Sequence, residues 1–160
     1  MAKKVKEGIQ IHGFTRVQLA KDGKIQGDSG WVGPNQITNL GFLNFLVKSL
    51  GSSAGSKYVG YIALGTGGAP ASDAVTLPGE ISASTKRTTV TLASVASTTA
   101  QFTATFASSA SFLAASSNIS NIGLYFSSET NDTLFAGNTY TSSQCSTNQD
   151  VYCTYQIRFS

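Results

Sequence analysis

The stretch YIALGTGGAPASD, residues 61–73, runs as a strand through Leu64 and then breaks into glycines where a nucleotide-binding fold would place its phosphate loop. If it holds a phosphate, the chain is an α/β protein with a parallel sheet. If it only turns a corner, the chain is built from strands. A phosphate loop of the Gly-x-x-x-x-Gly-Lys-Ser/Thr kind opens a helix, so that backbone amides and a lysine converge on the anion. Here no lysine follows Gly67 and Gly68; Ala69-Pro70-Ala71-Ser72-Asp73 comes next, with no helical period after it. The strand, crossover helix and parallel strand of a dinucleotide fold are missing too. The stretch is therefore read as a corner.

The flanking sequence agrees with that reading. FTRVQLAKDGKIQGDSGWVG carries two extended runs around Asp22-Gly23, a hairpin signal. KYVGYIAL is a nearly continuous apolar run suited to a strand buried on both faces. RTTVTLASV and QFTATFAS alternate with period two, the second pointing Phe102, Ala104 and Phe106 inward. ISNIGLYFS, DTLFAGNTY and VYCTYQIRF continue the series, the last placing Val151, Cys153, Tyr155, Ile157 and Phe159 on one face. Only NQITNLGFLNFLVKSLG breaks it. There Ile37, Leu40, Leu43, Val47 and Leu50 recur every three or four residues, with Leu46 on the flank, which predicts an amphipathic helix started by Asn35 or Thr38 and stopped at Gly51. The expectation is a mainly β protein: an antiparallel β-sandwich or jelly-roll-like barrel with one amphipathic helix and an N-terminal β-hairpin. Residues 1–34 form a basic arm and hairpin, residues 35–160 the sandwich with its leading helix, and together they make one structural domain.

Composition bounds the function. Charged residues are 12% of the 160-residue chain and Ser plus Thr a quarter, against about 25% charged in an ordinary soluble domain. A hydroxyl-rich surface loses little when covered, because Ser and Thr exchange water for backbone partners more easily than Lys or Glu. The formal net charge of +3 is too small for a nucleic-acid binder. Lys3, Lys4, Lys6, Arg16, Lys21 and Lys24 are concentrated at the N-terminal end, opposed there only by Glu7 and Asp22. This basic arm is expected to dock on an acidic patch of a neighbouring subunit; the alternative is a solvated tail. No apolar run follows it that would make a secretory signal or a membrane span, so the chain reads as made in a cytoplasm. Without a secretory signal, the glycosylation patterns at Asn118 and Asn131 are read as coincidence.

Catalytic constellations are hard to assemble. His12 is the single imidazole, which leaves a Ser-His-Asp arrangement to accident. Asp73, Glu80, Glu129 and Asp132 are carboxylates in loops with no spacing that pairs them. Cys145 and Cys153 cannot make a four-ligand zinc site alone; they are either two reduced thiols or a disulfide across a C-terminal hairpin. No catalytic residue, metal or cofactor is expected. Trp31, Tyr58, Tyr61, Tyr125, Tyr140, Tyr152 and Tyr155 could stack on sugar rings, although strand aromatics more often pack.

YIALGTGGAPASDAVTLPGEI with Arg87 soon after, then ISNIGLYF and a closing YQIRF, resembles a group of small bacteriophage virion proteins that carry an ALGTG…AP…D…L…EI…R block, an I…GLF strand and a β-rich C-terminus. The helix ITNLGFLNFLVKSLG also fits that group, and the resemblance spans residues 35 to 160. It implies a virion part, most simply a capsid decoration or cement protein on the head shell, with a tail or fibre-tip module binding host-surface glycan as the alternative. A homo-oligomer is expected, a trimer in either setting, with the major capsid protein as partner and no nucleic acid or membrane. The block then becomes architecture. Gly65, Gly67 and Gly68 supply unusual torsions, Pro70 stiffens the exit, Asp73 caps the next turn, and Glu80 pairs with Arg87.

Overall fold

A computed structural model of the chain describes residues 10–47, 58–81, 87–128 and 133–160. The first unit is the hairpin. Strands β1 (Ile11–Lys21) and β2 (Lys24–Asp28) meet at Asp22 and Gly23, whose φ values of 51° and 74° are those of the turn that matches strand twist. A short strand β3 (Gln36–Ile37) leads into helix α1 (Asn39–Gly41), which continues as a π-helical turn over Phe42–Val47. Then come β4 (Tyr61–Gly65), β5 (Arg87–Thr89), β6 (Thr91–Ala96), β7 (Thr99–Phe106), β8 (Ser117–Tyr125), β9 (Leu134–Cys145) and β10 (Asp150–Phe159).

The strands form two five-stranded antiparallel sheets, β2-β1-β10-β7-β6 and β3-β9-β8-β4-β5. The hairpin is part of the sandwich: β1 pairs with β10 along its length, from Ile11 opposite Phe159 to Ala20 opposite Asp150. Val17, Leu19, Phe102, Ala104, Phe106, Val151, Cys153, Tyr155 and Ile157 face inward from the first sheet and meet Ile62, Leu64, Ile119, Ile122, Leu124 and Phe135 of the second. The period-two reading of QFTATFAS and VYCTYQIRF is thus observed, with Phe159 only partly covered at the strand end. The run RTTVTLASV is broken at Val90, where the chain steps from β5 in one sheet to β6 in the other and the Val90 N–H bonds to Gly60 O at 2.9 Å.

The helix differs from its expected form. Thr38 is the N-cap, accepting from Gly41 N–H at 2.9 Å and donating to Leu134 O at 2.5 Å, but the α-helical bonding lasts one turn. Gly41 and Phe45 face inward, while Leu43 is exposed. Gly41 lies so close to Phe135 O that no Cβ fits, and the Phe45 ring sits 4.9 Å from that of Phe135. The backbone contact at Gly41 sets which face goes down, and a π turn, with its longer hydrogen-bonded loop, slips out of phase with a 3.6-residue pattern. The predicted inward Leu50 and the Gly51 stop lie outside the described residues.

Candidate functional site

Residues 66–80 leave β4, fold back across the outer face of the second sheet and return to it. The Thr66 N–H bonds to Gly79 O at 3.0 Å, Gly67 N–H to Pro78 O at 3.2 Å, and Ile81 N–H to Leu64 O at 2.9 Å. The far side of the strap is tied down by Asn39 N–H to Ser72 O at 2.7 Å and Leu134 N–H to Val75 O at 2.8 Å. From β8 the Ser120 hydroxyl donates to Gly67 O, and the buried Asn121 amide donates to both Gly68 O and Pro78 O. Leu77 is the apolar anchor, packed with Ala63, Tyr125 and Leu134 in a second small core. Thus β4 is buried on one face by the opposite sheet and on the other by its own exit loop.

The glycines serve this geometry in a way different from the torsional role expected of them. Neither Gly65, Gly67 nor Gly68 has a positive φ; the left-handed residue of the strap is Gly79, at 63°. Leu77-Pro78-Gly79-Glu80 is a type II turn closed by Glu80 N–H to Leu77 O at 3.2 Å, with proline and glycine where that turn favours them. Gly65 and Gly67 are instead sites of close approach. A Cβ on Gly65 would lie 2.9 Å from Pro78 O, one on Gly67 would collide with that same oxygen, and one on Gly68 would meet nothing. Pro70 is buried against Gly137 of β9, where a Cβ would come within 2.7 Å of its ring. Asp73 caps no turn among the described residues. It sits exposed in the middle of the turn that Ala74 N–H closes onto Ala71 O.

Behind the strap lies its one buried ion pair among the described residues. Arg87 opens β5 with its side chain fully covered and donates from Nε to Glu80 Oε1 at 2.7 Å and from Nη2 to Glu80 Oε2 at 3.2 Å. Its Nη1 donates to Ser127 O at 3.1 Å, and its guanidinium lies 3.5 Å from the centre of the Tyr125 ring. The Tyr125 hydroxyl donates to Glu80 Oε2 at 3.0 Å and accepts from Leu77 N–H at 2.6 Å. Burial, reinforced by the Glu80 charge, pushes this phenol above its ordinary range and keeps it a donor. The expected Glu80–Arg87 pair is present, and Tyr125, read in the sequence only as a packing or sugar-stacking aromatic, completes it. Every one of these groups faces another group of the same chain, an arrangement that holds a loop against a sheet.

The other singled-out residues are scattered. Lys3, Lys4 and Lys6 lie outside the described residues, as do Glu129 and Asp132. Lys21 and Lys24 flank the hairpin turn and are exposed, whereas Arg16 is held by Asp28, Nε to Oδ1 at 3.0 Å. Gln10, where the arm ends, pairs with Ser160 at the opposite end of β1 from that turn. At roughly 3.3 Å per residue, Gln10 and Lys21 lie about 35 Å apart along β1. His12 is partly exposed and bonded to Gln10.

Of the seven aromatics considered for sugar stacking, Tyr125, Tyr140 and Tyr155 are core residues, while Trp31 and Tyr58 are exposed. Cys145 and Cys153 are buried free thiols on strands of different sheets, so no strand pairing of β9 with β10 carries a bridge. Burial lifts the Cys145 thiol to about 11 and Cys153 still higher.

Comparison with known proteins finds no matching family model, no matching curated protein and no matching solved structure.

Proposed function

We propose that the chain is a structural subunit of a bacteriophage particle, a decoration or cement protein that binds the head shell and stabilises it. The observation that carries this reading is the strap. The one stretch lettered like a phosphate loop turns its amides onto its own return limb and its carbonyls onto the sheet, and its charged pair is closed off beneath it. That is architecture in the same block of residues on which the virion resemblance rests. The surface supports the reading from another side: no charged residue occurs from Thr88 through Ser128, so contact with other subunits costs little desolvation there. In this role the protein acts as a homo-oligomer on the virion, without catalysis, and the arm bearing Lys3, Lys4 and Lys6 docks on an acidic patch of the shell.

The test is reconstitution on particles stripped of this protein. Saturable binding at a copy number proportional to the shell subunits, with protection against heat or chelator, is the expected result; a handful of copies at one vertex would place it on the tail instead. Deleting residues 2–7 should lower occupancy and flatten its dependence on salt, because exposed ion pairs are screened. Unchanged occupancy and salt slope would remove the arm from the contact. A glycan-binding tail tip is the second reading, favoured by the exposed Trp31 stacked near Arg158, which itself lies 4.2 Å over Phe14. Specific glycan binding abolished by Trp31→Ala would prefer it.

A further inference from the structure

We propose that two copies of this chain join edge to edge through β6, as antiparallel partners that extend the sheet β2-β1-β10-β7-β6 across a two-fold axis. Sheet edges invite such pairing, and proteins normally blunt them with charge, bulges, brevity or cover. Among the described residues, three of the four sheet edges are blunted. β2 carries Lys24 and Asp28 opposite a bulge at Leu19/Ala20. β3 is two residues long, and β5 is three. β6 has six residues and no charge, and no described strand lies beyond it. Its only bulge, between Ser94 and Ala96, is at the end next to the turn into β7.

Leu92 shows what the edge lacks. It stands opposite the core residue Phe102, on the face that looks into the sandwich, yet it is 62% exposed. A core position is therefore missing its cover. Two recesses meet there: one of about 410 Å³ walled by Ala93, Ala100 and Phe159, the other of about 260 Å³ walled by Tyr58, Tyr61 and Val90.

The occupant is a second β6. An edge without charge carries nothing that repels a second copy of itself, because self-pairing sets no like charges opposite each other. A two-fold axis perpendicular to the sheet keeps the core faces of both copies on the same side, so each β6 covers the other's Leu92. Centring the overlap on the run Thr91–Val95 puts Ala93 of one copy opposite Ala93 of the other. Such an edge closes on itself as a dimer; a three-fold particle would need a further contact elsewhere. The pairing does not depend on where in a virion, or whether in one, the protein sits.

The experiment is sedimentation and mass photometry of the full chain over a concentration series, with Leu92→Lys, and with Ile25→Lys on the β2 edge as the matched control. The expected result is a monomer–dimer equilibrium whose dissociation constant weakens at least about tenfold in Leu92→Lys and is unmoved in Ile25→Lys, with circular dichroism unchanged in both. Ala93→Cys keeps the test independent of folding defects. Facing strand residues have Cα atoms about 4.5–5.5 Å apart, within disulfide reach, so mild oxidation should give a covalent dimer, and Ile25→Cys should give none. A wild-type chain monomeric at every concentration, a Leu92→Lys variant that associates like wild type, or a dimer that Ala93→Cys does not cross-link would each overturn the proposal.

Discussion

Gly67 and Gly68 stand side by side in the strap with opposite surroundings. The position of a Cβ on Gly67 is already occupied by Pro78 O, while the space beside Gly68 is open and its φ is not positive. Gly67→Ala should therefore destabilise the protein by about 1–3 kcal/mol, the usual cost of forcing atoms into a packed site. Gly68→Ala should fall within about 0.5 kcal/mol of wild type. Denaturant unfolding of the two variants side by side checks this, and equal losses would mean that torsion, not approach, selected both glycines. The site was legible as a corner because Gly67 and Gly68 lack the lysine and helix of a phosphate loop. Its cause was not. Which glycine needs φ above zero was written in Pro78-Gly79, a turn dipeptide, whereas the close approach at Gly65 and Gly67 depends on residues a dozen places away. The partnership of Tyr125 with Glu80 was invisible for the same reason: nothing local joins the two, 45 positions apart.

At the scale of elements, the β1–β2 hairpin was the easiest to read, since Asp22-Gly23 suits the turn observed and the flanking runs alternate. Asp28 adds a lock that alternation does not announce. Arg16 bonds its carboxylate first and foremost, with Gly30 N–H and the Gln18 amide adding to it, and together they hold it well below the usual carboxylate range. A carboxyl whose folded pKa is depressed contributes stability that is fully present above its unfolded value of about 3.9 and is lost as pH falls through the lower folded value. Asp28→Asn should therefore melt lower than wild type at about pH 7, with the gap narrowing progressively as pH falls below about 4 and closing in strong acid. A gap that persists unchanged into strong acid would assign the loss to the hydrogen bonds of the Asp28 loop rather than to its charge. The helix was the hardest element, because its inward face follows from Gly41 pressing on the backbone of β9, and a pattern of apolar side chains cannot register a residue that packs by having none.

At the scale of the whole molecule, strand periodicity states which side of a strand faces inward but not which strand lies beside it, so the two-layer architecture was readable and the order of strands was not. The consequence is sharpest at the C-terminus. β9 and β10 are consecutive and close in sequence, as a hairpin would be, yet they lie in different sheets and send Cys145 and Cys153 into the core between them. Both thiols are buried and free, and burial raises both pKa values, Cys145 to about 11. The thiolate is the reactive form, so near pH ~8 a folded molecule presents almost none of it and admits no reagent to the layer where it would form. Labelling can then proceed only through opening of the sandwich, and its rate reports that opening free energy. A thiol reagent should count no reactive cysteine in the native protein and two after denaturation without reductant. Two slow phases in native buffer should accelerate together with added denaturant if the sheets separate as one unit. A count of zero in denaturant would mean that the cysteines are bridged, and rapid labelling of one thiol in native buffer would mean that the layers part locally at that strand.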